Sequence, residues 1–118
     1  MARANRPAKQ NPHQRVELDL NNPAFLKSWF SLEKDEKIRV LNALEKISQL
    51  TWTQVYGDSG LKWEAIAESP VSLPQGIASV YSLRITQARR AVAYRDRQFM
   101  RLLWIAPDHD ATYGRRRN

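Results

Sequence analysis

The spacing of hydrophobic residues changes along the chain, from mainly helical before residue 57 to mainly strand-like after it. Residues 16–20 alternate apolar and acidic side chains, which predicts a half-buried strand. Asn22 and Pro23 predict a helix start, because asparagine caps helices and proline suits the first helical position. A second helix is expected to begin near Ser31, since apolar residues then recur at helical spacing: Val40, Leu41, Ala43, Leu44, Ile47, Leu50 and Thr51.

The turn-forming residues 57–60 mark the change of period. Four strands are predicted after them, at residues 61–66, 79–86, 90–96 and 99–106. Short links between the last three favour an antiparallel meander. We therefore expect an α+β fold in which two N-terminal helices pack on a four-stranded, mainly antiparallel sheet.

If side chains alternate strictly, those of the final strand point in turn to the two faces of the sheet. Met100, Leu102 and Trp104 are expected on one face, with Arg101, Leu103 and Ile105 on the other. One face of the sheet would then be mainly apolar and pack on the helices. The opposite face could gather arginines near the end of the final strand.

Composition divides the chain into a basic N-terminal arm expected to be flexible (1–15), one folded domain (16–113) and a basic tail (114–118). There are no cysteines, which excludes disulfides and thiolate metal sites. No apolar run approaches the ~18 residues that cross a bilayer, and no signal-peptide core is present. These features lead us to expect a cytoplasmic protein without a membrane partner.

The formal net charge is +7, and its placement is informative. From Arg84 to the end there are nine arginines and no lysine, against three aspartates. Arginine's planar fork suits bidentate contacts with phosphate, so an anionic partner is expected, either nucleic acid or an acidic protein. The alternative is a solvated basic surface that has no partner.

The segment after the final strand carries His109 between Asp108 and Asp110, with Tyr113 four residues further on. Imidazole and guanidinium groups are what metal-free RNA cleavage needs, because a proton leaves the 2′-OH while charge grows on the phosphate oxygens. An inert, hydrogen-bonded histidine is the simpler alternative. A metal site is disfavoured, because in extended backbone both aspartates would point away from the histidine. We expect neither a metal nor a small-molecule cofactor.

The chain resembles the RelE/ParE superfamily of bacterial toxins in four segments: Leu61-Lys62-Trp63-Glu64, Tyr81-Ser82-Leu83-Arg84-Ile85, Arg89-Arg90-Ala91-Val92 and Asp108-His109-Asp110-Ala111-Thr112-Tyr113. The resemblance implies two helices followed by an antiparallel sheet. It also implies an mRNA endonuclease, often acting on the ribosome, that is held inactive by a cognate antitoxin.

The same resemblance assigns catalytic roles to Arg84, Arg90, His109 and Tyr113. The lysine pair of the RelE type has no clear match, and Lys62 is the nearest candidate. RNA or phosphate binding is expected from Lys62, Arg89, Arg101 and Arg115. Two alternatives stay open: a ParE-like inhibitor of DNA gyrase, and a non-catalytic basic module that binds RNA or the ribosome.

Overall fold

The structure, a computed structural model, describes residue 11 and residues 13–107. The predicted site residues His109, Tyr113 and Arg115 lie outside the described residues, as do the basic tail and most of the N-terminal arm. At the described end of the arm, the carbonyl oxygen of Gln14 accepts a hydrogen bond from the Trp52 amide at 2.9 Å, and Arg15 forms a β-bridge with Thr51.

In the part of the chain that the structure describes, three helices and five strands follow one another in the order strand, helices, strands. Their bounds are β1 (Glu17–Asp19), α1 (Pro23–Phe30), α2 (Lys34–Ile47), α3 (Trp52–Gly57), β2 (Glu64–Ile66), β3 (Val80–Arg84), β4 (Arg90–Asp96) and β5 (Phe99–Ile105). No helix among the described residues is long and apolar enough to span a bilayer.

Helix α1 begins as predicted, with the Asn22 side chain accepting a hydrogen bond from the Ala24 amide at 2.8 Å. The expected start of α2 near Ser31 is wrong. Ser31 is the C-cap of α1, and its hydroxyl donates to the Lys27 carbonyl oxygen at 2.7 Å. Helix α2 begins three residues later, with Asp35 in its first turn, where the helix dipole favours negative charge.

Helix α3 was not predicted as a separate helix, because the helical spacing of apolar residues in α2 continues to Thr51. Thr51 accepts from the Gln54 amide, and the Gln54 side chain accepts from the Thr51 amide at 2.9 Å. This reciprocal capping box starts a new helix at Trp52. The sequence therefore forms three helices before β2, where two were predicted.

The described residues form a sheet of five strands in the order β1-β5-β4-β3-β2. Strand β1 is parallel to β5, while the other neighbours are antiparallel. The α+β class is confirmed, but the expected four-stranded sheet is wrong by one strand. The short β1 joins the sheet because Leu18 lies opposite Met100 and packs against the same core.

Apolar clusters cover both faces of the sheet. The main core lies between the sheet and the helices and contains Phe25, Leu44, Trp52 and Leu102 among its buried residues. On the opposite face, called here the outer face, Val80, Val92, Tyr94 and Leu103 form a second cluster, against which Val71, Leu73 and Ile77 of the β2–β3 loop pack. The centre of the outer face is therefore apolar and covered.

A β-bulge changes which residues of β5 face the helices. Val92 pairs with Trp104 but Ala93 pairs with Leu102, so one extra residue is accommodated in β5. Ile105 consequently joins the main core and Trp104 packs against the second cluster. The predicted faces of these two residues are wrong, since strict alternation holds only up to the bulge.

We expect Leu102→Ala to lower the free energy of unfolding by about 2–5 kcal/mol, because it leaves a cavity in the main core. Leu102 is fully buried, whereas Leu41 on α2 is 49% exposed. The matched Leu41→Ala change should therefore alter stability by less than ~0.5 kcal/mol. Urea unfolding followed by circular dichroism measures both, and equal losses would contradict this assignment of the core.

Candidate functional site

Arg84 and Arg90 lie directly opposite each other where β3 ends and β4 begins. Cross-strand partners share a face of the sheet, so both side chains start from the outer face. The hairpin between the two strands closes with a hydrogen bond from the Ile85 amide to the Arg89 carbonyl oxygen at 3.0 Å. The structure thus brings together two of the four predicted catalytic residues.

Arg90 is buried, with its side chain 1% exposed. Its guanidinium donates to the Ser82 hydroxyl at 2.9 and 3.2 Å and to the Lys62 carbonyl oxygen at 2.8 Å. The nearest Glu64 carboxylate oxygen is 3.9 Å from the guanidinium. In this arrangement a substrate phosphate has no access to Arg90, which instead attaches the segment before β2 to the sheet.

That segment includes Lys62, whose backbone has a φ of 50°, in the left-handed region. The preceding carbonyl oxygen, of Leu61, accepts a hydrogen bond from the Arg84 amide at 2.7 Å. Two hydrogen bonds from β3 and β4 thus hold the peptide around Lys62 in its unusual conformation. The Lys62 side chain is exposed close to this end of the sheet.

Arg84 differs from Arg89 and Arg101 because its hydrogen-bond partner is neutral, and from Arg90 because it is not buried. Its guanidinium donates to the Gln87 carbonyl oxygen at 3.1 Å, and no carboxylate within the described part of the chain lies within 4.0 Å of it. The side chain is partly exposed. Arg84 therefore has unused capacity to bind an anion.

The chain leaves the sheet beside these arginines. The Ala106 amide donates to the Arg90 carbonyl oxygen at 2.9 Å, which extends the β4–β5 ladder by one bond. The residues that follow Ala106 therefore start next to the Arg84–Arg90 pair. His109 and Tyr113 belong to this following stretch and lie outside the described residues.

Arg89 is committed to an ion pair with α2. Its guanidinium donates to both carboxylate oxygens of Glu36, at 2.9 and 3.0 Å, and also to the Ala106 carbonyl oxygen at 3.2 Å. Both side chains are mostly buried, at 17% and 22% exposure. This bidentate pair joins the first half of α2 to the end of β5.

Arg101 lies at the other end of β5, about 15 Å along the strand from Ala106. Its guanidinium contacts Asp19 at 2.6 Å and Asp96 at 2.9 Å, and stacks over the Phe99 ring with a centroid distance of 4.5 Å. The structure does not bring Arg101 together with Arg84. Sequence reasoning treated it as a phosphate ligand and missed both of its acidic partners.

The Arg101 network shifts two pKa values. Burial would raise the pKa of Asp19, but hydrogen bonds from Asn21 and from Arg101, together with the Arg101 charge, lower it below its ordinary 3.8. The hydrogen bond to Asp19 is the main cause that raises the pKa of Arg101. Both shifts favour the charged pair, which therefore stabilises the contact between β1 and β5.

A groove of about 700 Å³ opens between α2, α3 and the β3–β4 hairpin. Lys46 and Arg84 both line it. Sequence reasoning missed Lys46, because it lies on the polar side of α2 far from the motifs after residue 60. The sequence feature that could have pointed to Lys46 is its position in the last turn of α2.

No group of three or more potential metal-ligating side chains occurs among the residues that the structure describes. The disfavoured candidate set of Asp108, His109 and Asp110 lies outside them. The described site offers a ligand positive charge and the amide groups of asparagine and glutamine side chains. Its chemistry is that of anion binding.

Comparisons with protein-family models, curated proteins and solved structures find no match to this chain. The likeness to RelE/ParE toxins therefore rests on the sequence segments quoted above. A family assignment is accordingly part of the functional proposal.

We expect Asp19→Asn to destabilise the protein near neutral pH, because the variant loses the charged acceptor of Arg101. The folded-state pKa of Asp19 lies below its unfolded value of 3.8. Its contribution is therefore fully present above about pH 4 and is lost as the pH falls through the folded pKa. Urea unfolding of both proteins at stepwise lower pH should show the two midpoints converging.

Asp35→Asn is the matched control, because Asp35 pairs with Arg39 while 74% exposed. Exposed pairs of this kind contribute little, so this change should leave the neutral-pH midpoint nearly unchanged. Identical midpoints for wild type and Asp19→Asn near neutral pH would refute the stabilising role of the Arg101 network.

Arg90→Ala and Arg84→Ala should differ in stability although they remove the same side chain from neighbouring positions. Loss of Arg90 leaves the Ser82 hydroxyl and the Lys62 carbonyl without a buried partner, which costs about 1–3 kcal/mol. Loss of the partly exposed Arg84 should cost less than ~0.5 kcal/mol. Thermal and urea unfolding compare them, and a larger loss for Arg84→Ala would contradict the structural role of Arg90.

Proposed function

We propose that the chain is a toxin of the RelE/ParE superfamily and that it cuts mRNA without a metal ion. One observation carries the proposal: the chain that leads to His109 leaves the sheet at Ala106, which is hydrogen-bonded to Arg90, and Arg90 lies opposite the available Arg84. A phosphate ligand and the route to a proton-transfer group thus meet at one end of the sheet.

Strand spacing sets the distance scale of the described part of this site. Arg84 lies two strands away from β5, at a spacing of about 4.8 Å per strand, so its backbone is about 10 Å from the point where the chain leaves the sheet.

The proposed reaction is attack of a ribose 2′-oxygen on the adjacent phosphorus. The 2′-OH loses its proton, a 2′,3′-cyclic phosphate forms, and the bond to the 5′-oxygen breaks as that oxygen takes up a proton. Arg84 stabilises the charge on the non-bridging oxygens, and His109 transfers a proton. Tyr113 stacks on a base or assists the proton transfer.

Arg90 enters the proposal as a positioning residue, since its buried guanidinium holds the peptide of Lys62. Lys62 then supplies an exposed positive charge beside Arg84. Arg89 and Arg101 would bind phosphate only at the cost of their carboxylate pairs. Arg115 keeps the phosphate-binding role that the resemblance implies.

The order of helices and strands and the net charge support the proposal. The resemblance implies two helices followed by an antiparallel sheet, and helices followed by an antiparallel meander are present here, together with a third helix and a parallel edge strand. The net charge of +7 suits a messenger RNA, free or on the ribosome. It also suits an acidic antitoxin that masks the site, which is the partner we propose.

A second candidate function is a ParE-like inhibitor of DNA gyrase. The observation that favours it is the internal pairing of Arg89, Arg90 and Arg101, which leaves fewer guanidiniums for RNA phosphates than the sequence suggested. A protein that does not cleave RNA needs none of them at a catalytic centre. The position of Arg84 beside the route to His109 favours the nuclease.

Arg84→Ala and His109→Gln should each reduce message cleavage while the domain remains folded. Loss of one transition-state donor costs on the order of 10²–10³-fold, and loss of a proton-transfer group roughly 10²–10⁴-fold. Mapping of message 5′ ends after induction in cells measures cleavage. The products should carry a 2′,3′-cyclic or 3′-phosphate, and EDTA should not prevent cleavage by the purified protein.

Arg97→Gln is the control for loss of an arginine, because Arg97 is 65% exposed in the β4–β5 turn, at the opposite end of β4 from the Arg84–Arg90 pair. It should cleave as wild type does. Intact messages together with inhibited DNA supercoiling would support the gyrase inhibitor instead. Full cleavage by both folded site variants would refute the site assignment.

A further inference from the structure

The groove beside Arg84 has a volume of about 700 Å³, against about 550 Å³ for a second depression between α1, the start of α2 and the end of β5. It runs from the last turns of α2 past the end of α3 to the β3–β4 hairpin. Its volume is within the range of small-molecule sites. It begins where the proposed phosphate ligand lies.

The charges lining the groove are predominantly positive. Two cationic residues line it, Lys46 and Arg84, together with one acidic residue, Asp58. One oxygen of the Asp58 carboxylate already accepts hydrogen bonds from the Gly60 and Leu61 amides, at 2.8 and 2.9 Å. Lys46 is exposed and forms no ion pair with any residue that the structure describes.

The smaller depression has a different electrostatic character. It is lined by Lys27 and Arg89 but also by Glu33 and Glu36, so two carboxylates balance two cations. Arg89 is moreover held by Glu36. An anionic strand would therefore be attracted to the groove beside Arg84 and not to this one.

The walls of the groove also suit the bases of a nucleic acid. Amide side chains line it, and amides can donate to and accept from the polar edges of unpaired bases: Asn42, Gln49, Gln54 and Gln87. Leu50, Leu61 and Ile85 provide apolar surface between them. A purely acidic peptide would use the cations but would have little use for the amides.

We propose that this groove binds the single-stranded RNA on one side of the cleaved bond, with Lys46 contacting a backbone phosphate and the amide side chains contacting bases. This assignment rests on the proposed function, because it takes Arg84 as the ligand of the reacting phosphate. It adds a substrate-binding residue, Lys46, on a helix that carries none of the family-like segments. Lys46 and Arg84 then hold successive parts of one strand.

The test uses the full chain and a short fluorescein-labelled 2′-O-methyl RNA, which has no 2′-OH to attack. Fluorescence anisotropy gives the dissociation constant at several salt concentrations. Removal of one phosphate contact to a single strand makes the slope of log K against log [salt] shallower by about 0.7, where K is the association constant. A variant that binds as wild type does at 1 M salt should therefore bind about fivefold more weakly than wild type at 0.1 M salt. We expect both changes for Lys46→Gln.

The control is Lys34→Gln, which removes the same charge from the same helix about 18 Å away. It should bind RNA as wild type does apart from a small, uniform effect of net charge. Equal weakening by both variants would overturn the groove assignment, because it would show an effect of overall charge alone.

Two further outcomes separate this inference from the proposed function. If Lys46→Gln binds normally while wild type still cuts messages and Arg84→Ala does not, the groove assignment fails and the nuclease stands. If wild type neither binds the oligonucleotide nor cuts messages, both fail. Tighter binding of a polyglutamate peptide than of RNA, with the same dependence on Lys46, would overturn the inference in favour of an acidic protein.

Discussion

The buried guanidinium of Arg90 is the interaction on which the candidate site depends. It donates to the Ser82 hydroxyl and to the Lys62 carbonyl oxygen, while the Arg90 carbonyl oxygen accepts from the Ala106 amide. One residue thus links the segment before β2, the middle of β3 and the end of β5. A buried guanidinium is tolerated only when its donors have partners, so these contacts fix the geometry around it. Arg84 occupies the neighbouring cross-strand position and takes its surroundings from that arrangement.

The high positive charge of the chain is only partly available to a ligand. Arg89 and Arg101 bind carboxylates at 2.6–3.0 Å and serve to join helix to sheet and edge strand to sheet. Such pairs are hydrogen-bonded and sheltered, so they are screened less by salt than exposed charges are. Arg84, Lys62 and Lys46 form no ion pair with a described residue and lie near the end of the sheet where β3 ends. Lys27, Lys34 and Lys37, on α1 and the first half of α2, are likewise without an ion pair in the described part of the chain. Positive charge alone therefore does not single out one binding region, and the proposed site depends on the position of Arg84 beside the end of β5.

The fold class could be predicted from the sequence because α1, α2 and the strands of the meander each have a clear hydrophobic period. Helix α3 could not, since a capping box at Thr51 interrupts a hydrophobic pattern that continues in the sequence. The faces of Trp104 and Ile105 depend on a bulge whose position is set by packing between strands. The juxtaposition of Arg84 and Arg90 could be predicted, because the two residues lie six positions apart on either side of one short hairpin. The pairing of Arg89 with Glu36 and of Arg101 with Asp19 could not, because these partners lie 53 and 82 residues apart in the chain.

The central claim is that a single-stranded RNA binds at the end of the sheet where Arg84 lies and where the chain leaves for His109. Nuclear magnetic resonance of the nitrogen-15-labelled full chain, titrated with the uncleavable 2′-O-methyl RNA, tests it most directly. The account predicts amide shifts concentrated at the end of β3, the β3–β4 hairpin, the segment around Lys62 and the last turns of α2. It predicts almost none around Arg101 at the start of β5. Shifts centred on Arg101, or no shifts at RNA concentrations that saturate anisotropy, would contradict it.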